Sequence, residues 1–289
     1  MPNTIVLQEA LLKRTEKFLE KSLVFAPLCN REFEGEISDQ WDTVRVAQLP
    51  ELSGTLTDTT GSGALSVAGN DITAQNFAYI TDAMTVNQVW QAKYVLKELE
   101  ELRAKQNVRL DLAHGIAYAN RKVWDLHIYS RILANAGTLI NANQAAATTE
   151  TSATIYQTFL EMKEALMLDD VDASDLVFCV TPEINTILKL SDIYDGSDGG
   201  LGARLNGQFG NIDGTPIIVH TQKPNSGENN ITLMKRWAAN FVNQFTKMKV
   251  TESTDGFNYK MPVESVFECD VLHDVNKKAI VTKFVTNGA

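Results

Sequence analysis

TVNQVWQAKYVLKELEELRAKQNVRLDLAHGIAYANRKVWDLHIYSRILANA, residues 85–136, decides how the rest of the chain is read. It holds no proline and a single glycine, Gly115. Trp90, Tyr94, Leu99 and Leu102, then Leu112, Ile116, Val123, Trp124 and Ile132, recur at helical spacing, which predicts a long amphipathic helix. Lys97 with Glu101, Glu101 with Lys105, and Arg121 with Asp125 stand four apart, the charge pattern of a solvated helix face. Aromatic residues at such spacing belong to a core before they belong to a ligand site. A helix of this length is expected to bend or break at Gly115 or at the Gln106-Asn107 step. The element would act as a beam between unlike parts.

N-terminal to the beam the character is extended. Asp42-Thr43-Val44-Arg45-Val46 alternates, Pro50 interrupts, and Ser53 to Gly69 holds 11 Gly, Ser or Thr among 17 residues before a second strand-like run, Ile72 to Ile80. This predicts a long two-stranded hairpin with a pliable tip. At ~3.3 Å per residue, such a ribbon reaches on the order of 50 Å and needs another surface to support it. An arm laid over a neighbouring subunit and a surface loop both fit the composition. Before the hairpin, Ile5 to Leu23 reads as an amphipathic helix with Leu7, Leu11, Phe18 and Leu19 near one face. It is either an inter-subunit arm or a helix packed on its own domain.

C-terminal to the beam, Asn135 to Thr149 reads as a small polar hinge and Thr151 opens an α/β unit. Ser152 can cap a helix carrying Ile155, Phe159, Met162 and Leu166, followed by a buried strand Leu176 to Val180. Thr181-Pro182-Glu183 starts a further helix with a hydroxyl cap, a proline in the first turn and an acid against the dipole. Gly196 to Gly214 contains 7 of the 17 glycines and reads as a long loop, ahead of a turn at Ile212-Asp213-Gly214-Thr215 and a strand Pro216 to His220. Val263 to Leu272 and Lys278 to Val285 are expected to form a final antiparallel pair against the beam.

Composition narrows function. A net charge of -10 argues against a protein devoted to gripping nucleic acid. Three distant cysteines, Cys29, Cys179 and Cys269, favour reduced thiols over a disulfide framework. Only about three apolar residues follow the first basic cluster, too few for a secretory signal, and no apolar run spans a membrane. Asn230-Ile231-Thr232 is read as a chance glycosylation sequon. The glycine clusters lack the lysine of a phosphate-cradling loop, and Gly199-Gly200-Leu201-Gly202 follows polar residues where a dinucleotide site needs a buried strand. Asp192, Asp195 and Asp198 lack the spacing of a calcium loop. His114, His127, His220 and His273 are scattered. No catalytic, cofactor-binding or metal-ligating residues are assigned, and no cofactor is expected.

The order of parts resembles the major capsid protein of tailed double-stranded DNA bacteriophages. The likeness rests on Asp42-Thr43-Val44-Arg45-Val46 with Leu49-Pro50, on the Gln91 to Leu133 spine, on Val177-Phe178-Cys179-Val180-Thr181-Pro182-Glu183, and on Gly210-Asn211-Ile212-Asp213-Gly214-Thr215-Pro216-Ile217-Ile218-Val219. The resemblance implies an α+β fold with an N-terminal arm (1–33), an E-loop hairpin (34–84), a spine helix in a P-domain (85–136), a mixed α/β A-domain (137–253) and closing P-domain strands (254–289). It implies a structural subunit that assembles with copies of itself, as hexamers and pentamers, into an icosahedral shell that encloses DNA without sequence-specific binding. Arg45, Leu49, Leu52 and Leu56 would make E-loop contacts between subunits; Gly196, Gly199, Gly200 and Gly202 would lie in the axial loop. Separate scaffolding, portal and decoration proteins are the partners implied, with assembly in the host cytoplasm, a place in the virion capsid and no membrane. Some family members lock their shells through an E-loop lysine. No lysine occurs between Lys21 and Lys93, so a non-covalent shell is expected here. An encapsulin-type compartment and, from a different class, a cytosolic α/β enzyme with the glycine-rich loop over a pocket are the alternatives.

Overall fold

The computed structural model describes residues 24–36, 41–48, 80–97, 108–141, 147–191, 211–223, 229–248, 251–252 and 258–287. The expected N-terminal helix, the hairpin tip and most of the glycine-rich loop lie outside the described residues.

The expected hairpin is present at its base. β1 (Thr43–Gln48) and β2 (Ile80–Thr85) pair antiparallel, Thr43 opposite Thr85 and Gln48 opposite Ile80. The described return leg begins where the expected run Ile72 to Ile80 ends.

The helix expected over 85–136 is corrected. Its N-terminal part is a strand, β3 (Gln88–Lys97), and the described helix is α1 (Val108–Ala134). A separation of four, as between Trp90 and Tyr94, keeps two residues on one face of a helix and equally on one face of a strand. Here Trp90, Ala92 and Tyr94 are half-buried while Gln91, Lys93 and Val95 are exposed, the alternation of a strand. Val89, Trp90, Tyr94 and Val95 favour a pleated surface, and a ten-residue ladder to a distant strand supplies the hydrogen bonds. In α1, Ile116, Asn120, Trp124, Ile128 and Ile132 are buried at helical period. The helix runs through Gly115 as one element, with no atom near where a Cβ would stand. The Gln106-Asn107 step lies outside the described residues.

Beyond α1, β4 (Thr138–Leu139) and β5 (Thr148–Glu150) occupy the expected hinge. α2 (Ile155–Leu168), β6 (Leu176–Val180) and α3 (Pro182–Lys189) follow. Next come β7 (Asn211–Ile212), β8 (Thr215–Val219), β9 (Asn229–Lys235), β10 (Asn240–Met248), β11 (Thr251–Glu252) and β12 (Asn258–Asp270). α4 (Asp274–Lys278) and β13 (Ile280–Asn287) close the chain. α2 has the expected buried face, Ile155, Phe159, Met162 and Leu166, but Ser152 is not its cap: the helix begins after Thr154, whose hydroxyl donates to Glu150 Oε2 at 2.9 Å. Thr181 precedes α3 as expected, yet its hydroxyl donates to Asn229 Oδ1 at 3.3 Å and makes no cap bond.

Two sheets organise the body. A seven-stranded sheet runs β4-β13-β9-β6-β8-β7, with β5 also beside β13. A four-stranded sheet places β12 between β10 and β3, with β11 on the β10 side. Pro262 falls between the stretches of β12 paired to β10 and to β11, where a missing N–H costs no bond to either. The antiparallel pair expected from Val263–Leu272 and Lys278–Val285 is therefore corrected. β12 and β13 lie in different sheets, and β13 pairs β9 within the sheet built by residues 137–253. The connection carries α4, which leads the chain from one sheet to the other instead of folding it back.

At β6 the seven-stranded sheet is buried on both faces. Leu176, Phe178 and Val180 of β6 meet α2 and α3, with Phe159 and Phe178 edge to face at 4.7 Å. Val177 and Cys179 point the other way, into a core shared with α1, β10, β12 and residues 25–29. That pattern explains the unbroken apolar run of the strand. All three cysteines are free thiols in this shared core.

Candidate functional site

No catalytic constellation was expected, and the anchoring geometry lies at the hairpin base, at the N-terminal junction and along the seam of the long helix.

The first is the hairpin base. Val44 and Met84 face inward and join Val86, Val242, Val266 and Leu272 in a small core under the four-stranded sheet. Arg45, in the next register pair opposite Ala83, faces outward. The root is closed by Val86 N–H donating to Asp42 and by Trp41 N–H donating to Val86. A polar clamp adds to the apolar one: the backbone N–H of His273 (3.1 Å) and its Nδ1 (2.6 Å) both meet Asp82 Oδ2. His273 holds a left-handed backbone, φ 73°, that aims both groups at one oxygen. The hairpin is thus anchored to the connection between the two sheets.

The second is the junction of the N-terminal segment. Residues 24–30 cross between α1 and β10: Asn30 N–H donates to Ala239, Phe241 N–H to Asn30, and Trp237 N–H to Leu28. Phe25 stacks on Tyr129 at 4.8 Å and meets the edge of His220 at 5.0 Å. Asp125 Oδ1 accepts the N–H of Val24 (3.2 Å) and of Phe25 (3.3 Å). Asp125 is therefore buried, and its expected place with Arg121 on a solvated face is corrected. Burial pushes its carboxyl up to about 6, against the pull of the Phe25 and Val24 amides and of Arg121. Burial likewise pushes the His220 imidazole down to about 4.

The third is the seam between α1 and β12. Glu268, buried, accepts from His127 Nε2 at 2.8 Å and from Arg131 at 3.4 Å. In the other sheet a buried Lys283 donates to Thr158 (3.0 Å) and Glu161 (3.2 Å) and lies 3.4 Å from buried Glu150, which fixes β5 and α2 on β13. These pairs span more than a hundred residues of sequence, so no local spacing could have revealed them.

Of the expected contact residues, Arg45 is exposed on β1. Leu49, Leu52, Leu56, Gly196, Gly199, Gly200 and Gly202 lie outside the described residues. Among the described residues no group of His, Cys, Asp and Glu is arranged to hold a metal, and no helix is long and apolar enough to cross a membrane.

No protein family and no curated protein matches the sequence. The fold does match. A structure from Mycobacterium phage Che8 aligns at TM-score 0.72 and 19% identity over 90% of both chains. The capsid of cyanophage P-SCSP1u aligns at 0.69 and 16%, over 92% of this chain and 89% of that one. The holo-SrpI encapsulin complex from Synechococcus elongatus aligns at 0.54 and 13%, over 85% and 82%. The chain has the fold of tailed-phage capsids, as the order of its parts implied.

Proposed function

We propose that this chain is the repeating, non-catalytic subunit of an icosahedral shell, closing as hexamers and pentamers around packaged double-stranded DNA. The observation that carries the reading is correspondence over 90% of both chains at TM-score 0.72. The anchoring geometry agrees with it. A hairpin whose root is held by an apolar cluster and the His273–Asp82 clamp can transmit force between neighbours without unfolding its own base. Arg45, Leu49, Leu52 and Leu56 would contact the adjacent subunit, and Gly196, Gly199, Gly200 and Gly202 would meet around the capsomer axis. The net charge of -10 suits an inner wall that does not bind DNA tightly. Scaffolding, portal and decoration proteins would be separate partners, with assembly in the host cytoplasm and the shell ending in the virion.

Sedimentation and negative-stain electron microscopy of the expressed chain, alone and with scaffolding protein, test the reading: closed particles are expected. A chain that stays monomeric or dimeric under every condition overturns it. Because residues 22–92 contain no lysine, denaturing gels of mature particles should show a single band at monomer mass. A ladder of linked subunits would refute the non-covalent shell. The likeness to an encapsulin complex favours a second reading, a shell enclosing protein. Purified native particles holding cargo protein and no DNA would select it.

A further inference from the structure

Three connections meet around one cleft: the α2–β6 turn, the β9–β10 turn and the α4 connection. Together they line a cleft of about 520 Å³ that includes Asp170, Val171, Arg236, Trp237, Val275 and Lys278. A second cleft, about 680 Å³, is lined by Pro27, Arg31 and the same Trp237. Trp237 stands between them with 63% of its surface exposed, at φ 65°. A bulky residue in the left-handed region is strained, and a glycine would hold this turn more cheaply. The turn is nevertheless tied down: Trp237 N–H donates to Leu28 (2.7 Å) and Arg236 N–H to Asp175 (3.0 Å). Asp170, Asp175 and His273, in the adjoining connections, also have positive φ. Leu168 and Val275 add exposed apolar surface, at 77% and 54%.

The charges around the first cleft are divided. Asp170 stands on the wall from the α2–β6 turn; Arg236 and Lys278 come from the other two connections. None of the three forms an ion pair among the described residues, whereas the neighbouring Asp172 is engaged by Ser174 and Lys235. A surface with an unpaired acid on one side, unpaired bases on the other and an aromatic residue beside them is complementary to itself. Rotation by 180° brings acid to base.

We propose that the Trp237 surface is a two-fold contact between two copies of this chain. Trp237 of each copy enters the cleft lined by Val171 and Val275 of the other, and Asp170 of each faces Arg236 of the other. The inference rests on the shell reading, to which it adds the contact joining one capsomer to the next.

The test is assembly of full-length variants, read by sedimentation and electron microscopy, with melting of the unassembled subunit as the fold control. Trp237→Gly relieves the strained turn, so the subunit should melt at a higher temperature while closed particles fall by about tenfold or more, as for loss of a central aromatic anchor. Asp170→Arg and Arg236→Asp should each reduce assembly, and the two together should restore it, because the swapped pair is again complementary across the axis. Unaltered assembly of Trp237→Gly, or a double charge variant no better than either single one, overturns the contact. If the unsubstituted chain itself never closes into particles, the shell reading fails instead.

Discussion

Residues 88–97 and 116–132 look alike in one dimension. Each sets two aromatic residues near one another, Trp90 with Tyr94 and Trp124 with Tyr129, and neither contains proline. One is an edge strand of the four-stranded sheet and the other is the middle of the long helix. The difference lies in what each is offered. β3 has a complete antiparallel ladder to β12 and buries its aromatics only halfway. α1 satisfies its own backbone and drives Trp124 and Tyr129 fully into the shared core, where Trp124 meets Phe241 and Phe267 at 5.9 Å. A spacing of four, as from Trp90 to Tyr94 or from Trp124 to Ile128, is neutral between the two outcomes, and the partner breaks the tie.

That contrast can be broken most severely from the helix side. Trp124→Ala should cost about 3–5 kcal/mol in denaturant unfolding of the unassembled subunit, since it empties a fully packed volume. A loss below about 1 kcal/mol would show that the helix is not the centre of the core.

Next comes the pair of buried titrating groups beside Phe25, Asp125 from the helix and His220 from the end of β8. Asp125, raised from 3.8 to about 6, stabilises the fold at low pH, and that contribution fades as pH rises through 6. His220, lowered from 6.5 to about 4, stabilises it at high pH, and that contribution is lost as pH falls through 4. Each is worth on the order of 3 kcal/mol over its window, with opposite sign, so between pH 6.5 and 4 the two should nearly cancel. Asp125→Asn should therefore expose a steep fall in stability on acidification, and His220→Phe a rise. Parallel pH curves for both variants would refute the compensation.

A smaller effect is expected in the strand. Trp90→Ala removes a half-buried ring at a sheet edge and should cost about 1–2 kcal/mol, clearly less than Trp124→Ala. Equal losses would erase the distinction drawn between the two stretches. Smallest, and of opposite sign, is Gly115→Ala. With open space at the Cβ position and an exposed site inside a continuous helix, it should add about 0.5–1 kcal/mol. A destabilisation would mean that the glycine serves a contact made in the assembly.

Much of the α/β unit was legible because its signals are local. The strand Leu176–Val180, the proline-led start of α3 and the turn at Asp213-Gly214 each declare themselves within a few residues. The buried face of α2 does so through its period. The anchoring site was not legible. Asp125 looked like half of a surface ion pair with Arg121, but residues 24 and 25, a hundred positions away, claim it. His127 and His273 looked scattered until β12 and β2 supplied Glu268 and Asp82.

Residues 85–136 bring both sides together. By itself the sequence determined that this stretch carries a periodic apolar pattern with no proline, and its place between a hairpin and an α/β unit was enough to reach the capsid fold. Only the tertiary structure decided where strand gives way to helix, that β12 and β13 part into different sheets, and that Asp125 faces inward. The reason is physical. Periodicity records which residues share a face, while the choice of structure depends on hydrogen-bond partners and packing volumes contributed by residues far along the chain.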